Sequence, residues 1–433
     1  MKKIVLIIIF ISITLALTLT NVGLRKDSTN IDIKIQNIEA FGDKEDGDDN
    51  PCKAPGGVCM TYGSDGYPIS TPVYLSHKQF TMKKTAFIII ALLLAFGCSD
   101  EKHEVPKEDN PLFSTSRAIS LNQLGETINL EKIGIYNPTK VIKKDSLLIV
   151  LDLNGLNKIS IYQENGKLLG SYLPTGMGAD RGLYILTMTL DDKGILSAYD
   201  FGNDRLVEFD LNHFGQPEFG PKFIDMPKDK KHLCVAKSGS TIISTGMFDE
   251  GRYGLMNNNS EEYFLSYPEI PSYRTINDTL RSALFASNII KIKPDGTKFV
   301  CANMQSGIID FCSLIPCTNI TRVAELNLYS PKATVKNMRR TPVAYSTDNL
   351  FGFCDIEVTD EYIYALYSGR SYRKYKDQIV YGERIVVFDW EGNHVHTYLL
   401  RNPFTSISFN KEENAIYGLT NNPNSVLIKY TLD

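Results

Sequence analysis

The sequence predicts an all-β domain, a six-bladed β-propeller, over residues 121–433. It is preceded by a mostly unstructured N-terminal region carrying two signal-like helices. Three observations predict this fold. Short alternating strands are broken by turn residues throughout the long C-terminal part. Whole three-strand units recur every ~40–60 residues, the spacing of four-stranded blades. No long amphipathic helix interrupts them, which argues against an α/β enzyme. Composition agrees: 23 Tyr and 21 Phe stand against a single Trp, Trp390, and Tyr and Phe favour half-buried, pleated positions.

Taken in order, the chain opens with Met1-Lys2-Lys3 and the uncharged apolar run Ile4 to Leu19. A basic start before a short apolar core reads as a secretory signal, residues 1–20; a bilayer span needs ~20 residues and this run falls short of that. Residues 21–81 form a small polar unit with an acidic run, Gly42 to Asp49. Cys52 and Cys59 then sit in a Gly/Pro-rich loop. Two cysteines in an exported, loop-rich peptide point to a disulfide. A zinc site needs further ligands, and only His77 is near.

Met82-Lys83-Lys84 then restarts the signal pattern, with an apolar run to Phe96 and Gly97-Cys98-Ser99-Asp100-Glu101 after it. This second segment, 82–98, resembles a bacterial lipoprotein signal, which implies that Cys98 becomes the lipidated first residue of the mature protein. Phe96 and Ala95 depart from the small residue and the Leu usual there. The acidic residues after Cys98 resemble surface-export signals of Bacteroidetes lipoproteins. Two adjacent coding units read as one explain a signal at this depth, the second starting at Met82. Asn37-Ile38-Glu39-Ala40-Phe41 after the first signal resembles the NVEALA family of small exported Bacteroides proteins over residues 1–75, with Ile38 for Val and Phe41 for Leu. Residues 99–120, charged and containing Pro106 and Pro111, read as a tether.

In the large unit, Leu147 to Asp152, Lys158 to Tyr162 and Leu168 to Leu173 form the first set of strands. Asn165-Gly166 lies between the last two, the strongest short hairpin signal. The same grammar returns at Ile195 to Asp200 with Arg205 to Asp210. It returns again at Tyr362 to Tyr367, Arg384 to Asp389 and His394 to Leu399. Blades fall at 136–173, 183–224, 232–270, 284–329, 351–400 and 403–433. The stretches 330–349 and 370–381 read as inserts. The last blade is short of strands, and Thr127-Ile128-Asn129-Leu130 can supply the missing outer one and remove an exposed edge. Five or seven blades, or a pair of sandwiches, are the alternatives. Asp360 to Arg370, Val387 to Asn393 and the connection Thr175 to Gly182 resemble TolB-like six-bladed propeller lipoproteins of Bacteroidetes over residues 110–433. That resemblance implies fold and export; it implies no biochemical activity.

Charge and motifs exclude several functions. With 46 basic and 50 acidic residues, net −4, there is no basic footprint for nucleic acid. None of the six His has HExxH spacing, so no metal site is nominated. There is no GxSxG, and Ser238-Gly239-Ser240 reads as a turn. Gly176 to Gly182 departs from GxGxxG and has no following helix to bind phosphate, so no cofactor is nominated. Arg181 and Arg370 lie in loops at the channel mouth, where a guanidinium can clamp a carboxylate or phosphate; the alternative is an ion pair with Asp200 or Asp355. Tyr372 and Tyr375, interleaved with Arg370, Arg373 and Lys374, read as an exposed aromatic-basic binding loop. Cys312 and Cys317 are spaced for a short disulfide.

The expectation is an outer-membrane or cell-surface lipoprotein, with the periplasmic side as the other possible address. It touches the membrane through its anchor and binds a peptide or an envelope protein, with the small N-terminal unit among the candidates. The rival is an extracytoplasmic propeller hydrolase or lyase using polar residues in the central channel.

Overall fold

The computed structural model describes residues 126–432 apart from 229, 258–259 and 336–342, together with 57–59, 73–74, 112 and 119–121. Both expected signals, Cys52 and Cys98 lie outside the described residues, and Cys59 is described as backbone only. Four short strands come first: β1 (Gly57–Cys59), β2 (Val73–Tyr74), β3 (Ile119–Leu121) and β4 (Thr127–Asn129).

Six antiparallel sheets follow. Blade 1 holds β5 to β8 (Lys140–Lys144, Leu147–Leu151, Asn157–Gln163, Leu168–Pro174). Blade 2 holds β9 to β12 (Ile185–Leu190, Ile195–Asp200, Arg205–Asp210, Lys222–Asp225). Blade 3 holds β13 to β16 (His232–Ser238, Thr241–Gly246, Tyr253–Asn257, Ser260–Phe264). Blade 4 holds β17 to β20 (Asn288–Ile292, Lys298–Asn303, Ile308–Ile315, Asn319–Asn327). A hairpin, β21 (Ala333–Val335) and β22 (Val343–Ser346), intervenes. Blade 5 holds β23 to β26 (Phe353–Val358, Tyr362–Tyr367, Gly382–Asp389, His394–Phe404). Blade 6 holds β27 to β29 (Ser406–Asn410, Ala415–Thr420, Val426–Thr431).

Each sheet buries both faces against its neighbours, which is why the middle strands are continuous apolar runs rather than alternating ones. Ile149 and Ile161 of blade 1 share one core with Ile185, Met188 and Val207 of blade 2. Ile243 and Leu255 of blade 3 meet Phe299 and Leu314 of blade 4 in the same way. Fully burying such a side chain is worth ~1.5–3 kcal/mol, repeated at every blade interface. Turns follow from local chemistry. Gly166 takes φ +90°, a conformation costly for other residues, and Asn165 Oδ1 accepts from the Lys167 amide at 3.0 Å.

The ring closes as the sequence predicts. β4 pairs with β29, Ile128 opposite Leu427 and Asn129 opposite Val426, and completes blade 6. The innermost strands β5, β9, β13, β17, β23 and β27 touch in cyclic order, with β27 against β5. Further upstream, β3 lies parallel to the outer edge of β26. Leu112 is buried in the core shared by blades 4 and 5, with its carbonyl accepting from Thr397 Oγ1 at 3.2 Å.

The two ends of the ring differ. One end is made mostly of short hairpin turns such as 145–146, 239–240 and 390–393. The other carries the three longest connections: 265–287 with helix α1 (Asp278–Leu284), 328–352 with β21 and β22, and 368–381 with helix α2 (Tyr372–Tyr375). The first two of these pack into a cap with its own apolar core, which includes Tyr267, Leu284, Phe285, Val343 and Tyr345. The Tyr345 hydroxyl donates to the Leu284 carbonyl at 2.8 Å, and the Tyr273 hydroxyl donates to that of Ala333 at 2.8 Å.

Candidate functional site: channel and cap face

A propeller offers two places for chemistry, its central channel and the loops at its ends. The channel is crossed by charges from the innermost strands. Lys140 Nζ of blade 1 donates to Asp355 Oδ2 at 2.9 Å and to Glu357 Oε1 at 2.8 Å, both on blade 5. Lys291 Nζ of blade 4 reaches the same Glu357 oxygen at 3.0 Å. Blade 6 joins through the Ile407 amide, which donates to Asp355 Oδ2 at 3.0 Å. Blades 1 and 4 lie opposite each other in the ring, so Lys140 and Lys291 meeting at one Glu357 oxygen bridge the channel. Two cations and two anions from three blades therefore neutralise one another, with a backbone amide from a fourth.

The electrostatics follow from this geometry. Burial opposes charge on Lys140, yet the two carboxylates outweigh it and raise its pKa. Lys291 has one close carboxylate, and burial, helped by the neighbouring Lys140, holds it below the usual lysine range. Burial would raise Asp355, but Lys140 and Lys291 hold it below the usual carboxylate range. The four groups are ligands for each other and stitch the ring across its axis.

Sequence reasoning missed this quartet, naming Asp355 only as a partner for an arginine. A signal was present: Lys291 in Asn288-Ile289-Ile290-Lys291-Ile292, and Asp355 with Glu357 in Phe353-Cys354-Asp355-Ile356-Glu357-Val358, are charges at one parity of otherwise apolar strands. Other buried charges serve blade interfaces. His232 Nε2 lies 2.9 Å from Glu261 Oε2, and Nδ1 lies 3.3 Å from Asp204 Oδ1. Burial alone would lower this imidazole, but the two carboxylates raise it to about 9. Arg252 pairs with Asp310 at 2.7 Å, both wholly buried, and Tyr253 donates to the same oxygen at 2.6 Å.

At the cap face, the expected binding residues fare differently from one another. Arg370 is buried: Nη1 donates to the Gln378 carbonyl at 3.0 Å, Nη2 pairs with Glu383, and the guanidinium lies 4.9 Å over the Tyr375 ring. Tyr372 is buried against Phe351 and Ile379, and Tyr375 is half-buried. The expectation of an exposed aromatic-basic loop is therefore corrected. The insert folds back on itself and uses these side chains as its own small core. Neither arginine pairs with the acids suggested. Asp200 instead accepts from the amides of Leu183 and Tyr184 at 3.2 and 3.1 Å and from Asn203 Nδ2 at 2.6 Å.

Arg181 is exposed, with Nη1 3.3 Å from the Thr175 carbonyl. Its loop is held from below by Arg205. That guanidinium donates to the carbonyls of Ala179 at 2.8 Å and Gly178 at 3.0 Å, and to that of Arg181, while stacking 4.0 Å from the Phe223 ring centre. Met177 (73% exposed) shares the loop of Arg181, and Leu156 (88%) and Tyr136 (62%) are exposed apolar side chains on other connections at the same end of the ring. The Thr175 amide donates to the Leu156 carbonyl at 2.8 Å, which ties two of their loops together.

Cys312 and Cys317 are both free thiols. Cys312 sits within β19 and packs into the core between blades 3 and 4, whereas Cys317 occupies the β19–β20 turn at φ 53°. Strand direction carries the two thiols apart, so the short spacing does not make a bridge. Cys234, Cys301 and Cys354 are also free, and burial raises Cys234 to about 12 and Cys301 to about 11. Among the described residues, no group of three or more His, Cys, Asp or Glu side chains is arranged to hold a metal ion.

Residues 119–412 match the protein family described as TolB-like 6-blade propeller-like. No curated protein matches the chain. Among solved structures, it is similar to a Bacteroides fragilis protein described as exported, at 10% identity and TM-score 0.45, covering 71% of this chain and 95% of that one. It is also similar to a streptogramin B lyase, at 14% identity and TM-score 0.37, covering 71% and 87%. A third is a Bacteroides uniformis protein described as a 6-phosphogluconolactonase, at 15% identity and TM-score 0.36, covering 62% and 72%. At these identities and scores none carries a function across.

Proposed function

The chain belongs to the TolB-like six-bladed propeller family, and from that footing we propose that it is an exported, lipid-anchored binding or scaffold protein of the bacterial envelope. In this reading residues 1–20 and 82–98 are export signals, 21–81 a small polar unit and 99–120 a tether from lipidated Cys98. The propeller presents its insert-bearing end to a peptide or an envelope protein. Fold alone does not select a function, so the reading rests on the site.

The observation that carries it is the pairing across the channel. Asp355 and Glu357, the two acids gathered there, are bound to Lys140 and Lys291. A hydrolase or lyase site needs convergent polar groups with capacity left for a substrate. These have satisfied one another. The adaptable chemistry instead lies at the insert-bearing end, where Arg181, Leu156, Met177 and Tyr136 are all exposed. Arginine and tyrosine are among the residue types enriched in protein-binding hot spots.

The test compares two sets of substitutions in the tagged protein in its native cells, with partners trapped by a lysine- or carboxylate-reactive crosslinker. Leu156→Asp with Met177→Asp is expected to remove the crosslinked partner. Lys291→Met is expected to leave it. Loss with Lys291→Met and retention with the double variant would overturn the reading.

A further inference from the structure

The cap hairpin has an outer edge, and that edge is occupied. On one side β22 pairs with β21, Val335 opposite Val343 and Ala333 opposite Tyr345. On the other it pairs with β1: Gly57 with Ser346, Val58 with Tyr345 and Cys59 with Ala344. β2 extends the same sheet by pairing with β1, Val58 opposite Tyr74 and Cys59 opposite Val73. Upstream of Leu112, the described residues are these two strands, and both belong to this sheet. Between them and the propeller lies Met82 to Cys98, the second signal-like segment. Processing at Cys98 would place β1 and β2 on a different polypeptide from β22.

We propose that the edge of β22 is a strand-acceptor site for the small N-terminal unit, residues 21–81, and that the unit and the propeller stay together as a non-covalent pair after processing. This deepens the reading above and rests on its processing at Cys98. The acceptor is ordered from below. Val343 and Tyr345 are buried in the cap core, and Tyr345 is pinned by its hydrogen bond to the Leu284 carbonyl at 2.8 Å. An ordered, uncovered edge strand is a template for an added strand. The donor suits a short addition. Pro55 stands two residues before β1 and Pro72 directly before β2, and proline cannot continue a ladder of hydrogen bonds. Main-chain bonds supply the affinity in such additions and alternate side chains the specificity. In this register the residue opposite Tyr345 is Val58.

The test uses the full chain expressed from its native locus with Gly57→Cys and Ser346→Cys, in a Cys52→Ser, Cys59→Ser background. After mild oxidation, mass mapping is expected to find a 57–346 disulfide. On a non-reducing gel it joins two polypeptides that separate on reduction. A Gly57→Cys, Asn165→Cys control, placed at the opposite end of the ring, is expected to give no bond. Adding Val58→Pro to the first pair should lower its yield at least fivefold. If no 57–346 bond forms while the melting temperature matches the parent, the strand site is wrong. If the bond forms within one uncut chain, the strand pairing stands but the two-chain proposal and the processing at Cys98 fail.

Discussion

Lys140 Nζ lies 2.9 Å from Asp355 Oδ2 although the residues are 215 positions apart on blades that do not touch side by side. The bond reaches past blade 6, and through Glu357, which Lys140 shares with Lys291 of the opposite blade, it ties together strands that arrive early and late in the chain. Buried pairs of this kind bring little net stability compared with apolar residues of the same shape, but half a pair is strongly unfavourable.

Asp355→Ala is therefore expected to cost about 3–5 kcal/mol, because it leaves Lys140 buried beside one carboxylate only. Lys140→Met with Asp355→Leu should recover most of that loss. Urea unfolding of the three proteins checks both. Equal destabilisation by the single and double variants would show that packing, and not charge, governs the site. Because Asp355 is held below the ordinary carboxylate range, its contribution is present above about pH 4 and is lost as pH falls through the lowered value.

His232 gives the opposite sign. Its pKa is raised to about 9 by Glu261 and Asp204, so its contribution is complete below about pH 6.5 and fades as pH rises through 9. Melting temperatures measured from pH 6 to 10 should fall more steeply for the parent than for His232→Gln. Parallel curves would show that the imidazole is not charged in the folded state.

Closure of the ring depends on β4. A chain beginning at Leu112 keeps β4 on the β29 edge and should fold cooperatively, with little scattering. One beginning at Leu130 leaves the β29 edge open and should aggregate, as unpaired edges do. Light scattering during refolding separates the two, and equal behaviour would mean that β4 is dispensable.

Arg205→Ala should loosen the loop that displays Arg181 and Met177. A charged donor bonded to carbonyls is worth ~1.5–3 kcal/mol, and here three carbonyls share it. Amide exchange should speed up across 176–182 while the strands of blades 1 and 2 keep their protection. Arg181→Ala should change neither.

The relation between sequence and structure is uneven for physical reasons. Local signals were legible: Asn165-Gly166 marked its turn, each of the six blades lies close to where the recurrence put it, and the spare strand at 127–130 closes the last blade. Those features depend on neighbours in sequence. The aromatic-basic insert was misread because nothing local tells that Arg370 turns inward to Gln378 and Glu383 instead of outward. The channel quartet was missed for a related reason. A lysine in an apolar strand looks the same whether its acid lies across an axis or in solvent, and the deciding partner is 66 residues away for Lys291 and 215 for Lys140.

The most direct measurement is site-specific photo-crosslinking in the native cell from opposite ends of the ring. A photoreactive residue at Met177 or Leu156 marks the insert-bearing end, and one at Asn165 or Glu391 marks the hairpin end. All four sites are exposed. A discrete adduct is expected from the first pair and none from the second. Adducts only from the hairpin end, or the same adducts from both, would contradict this.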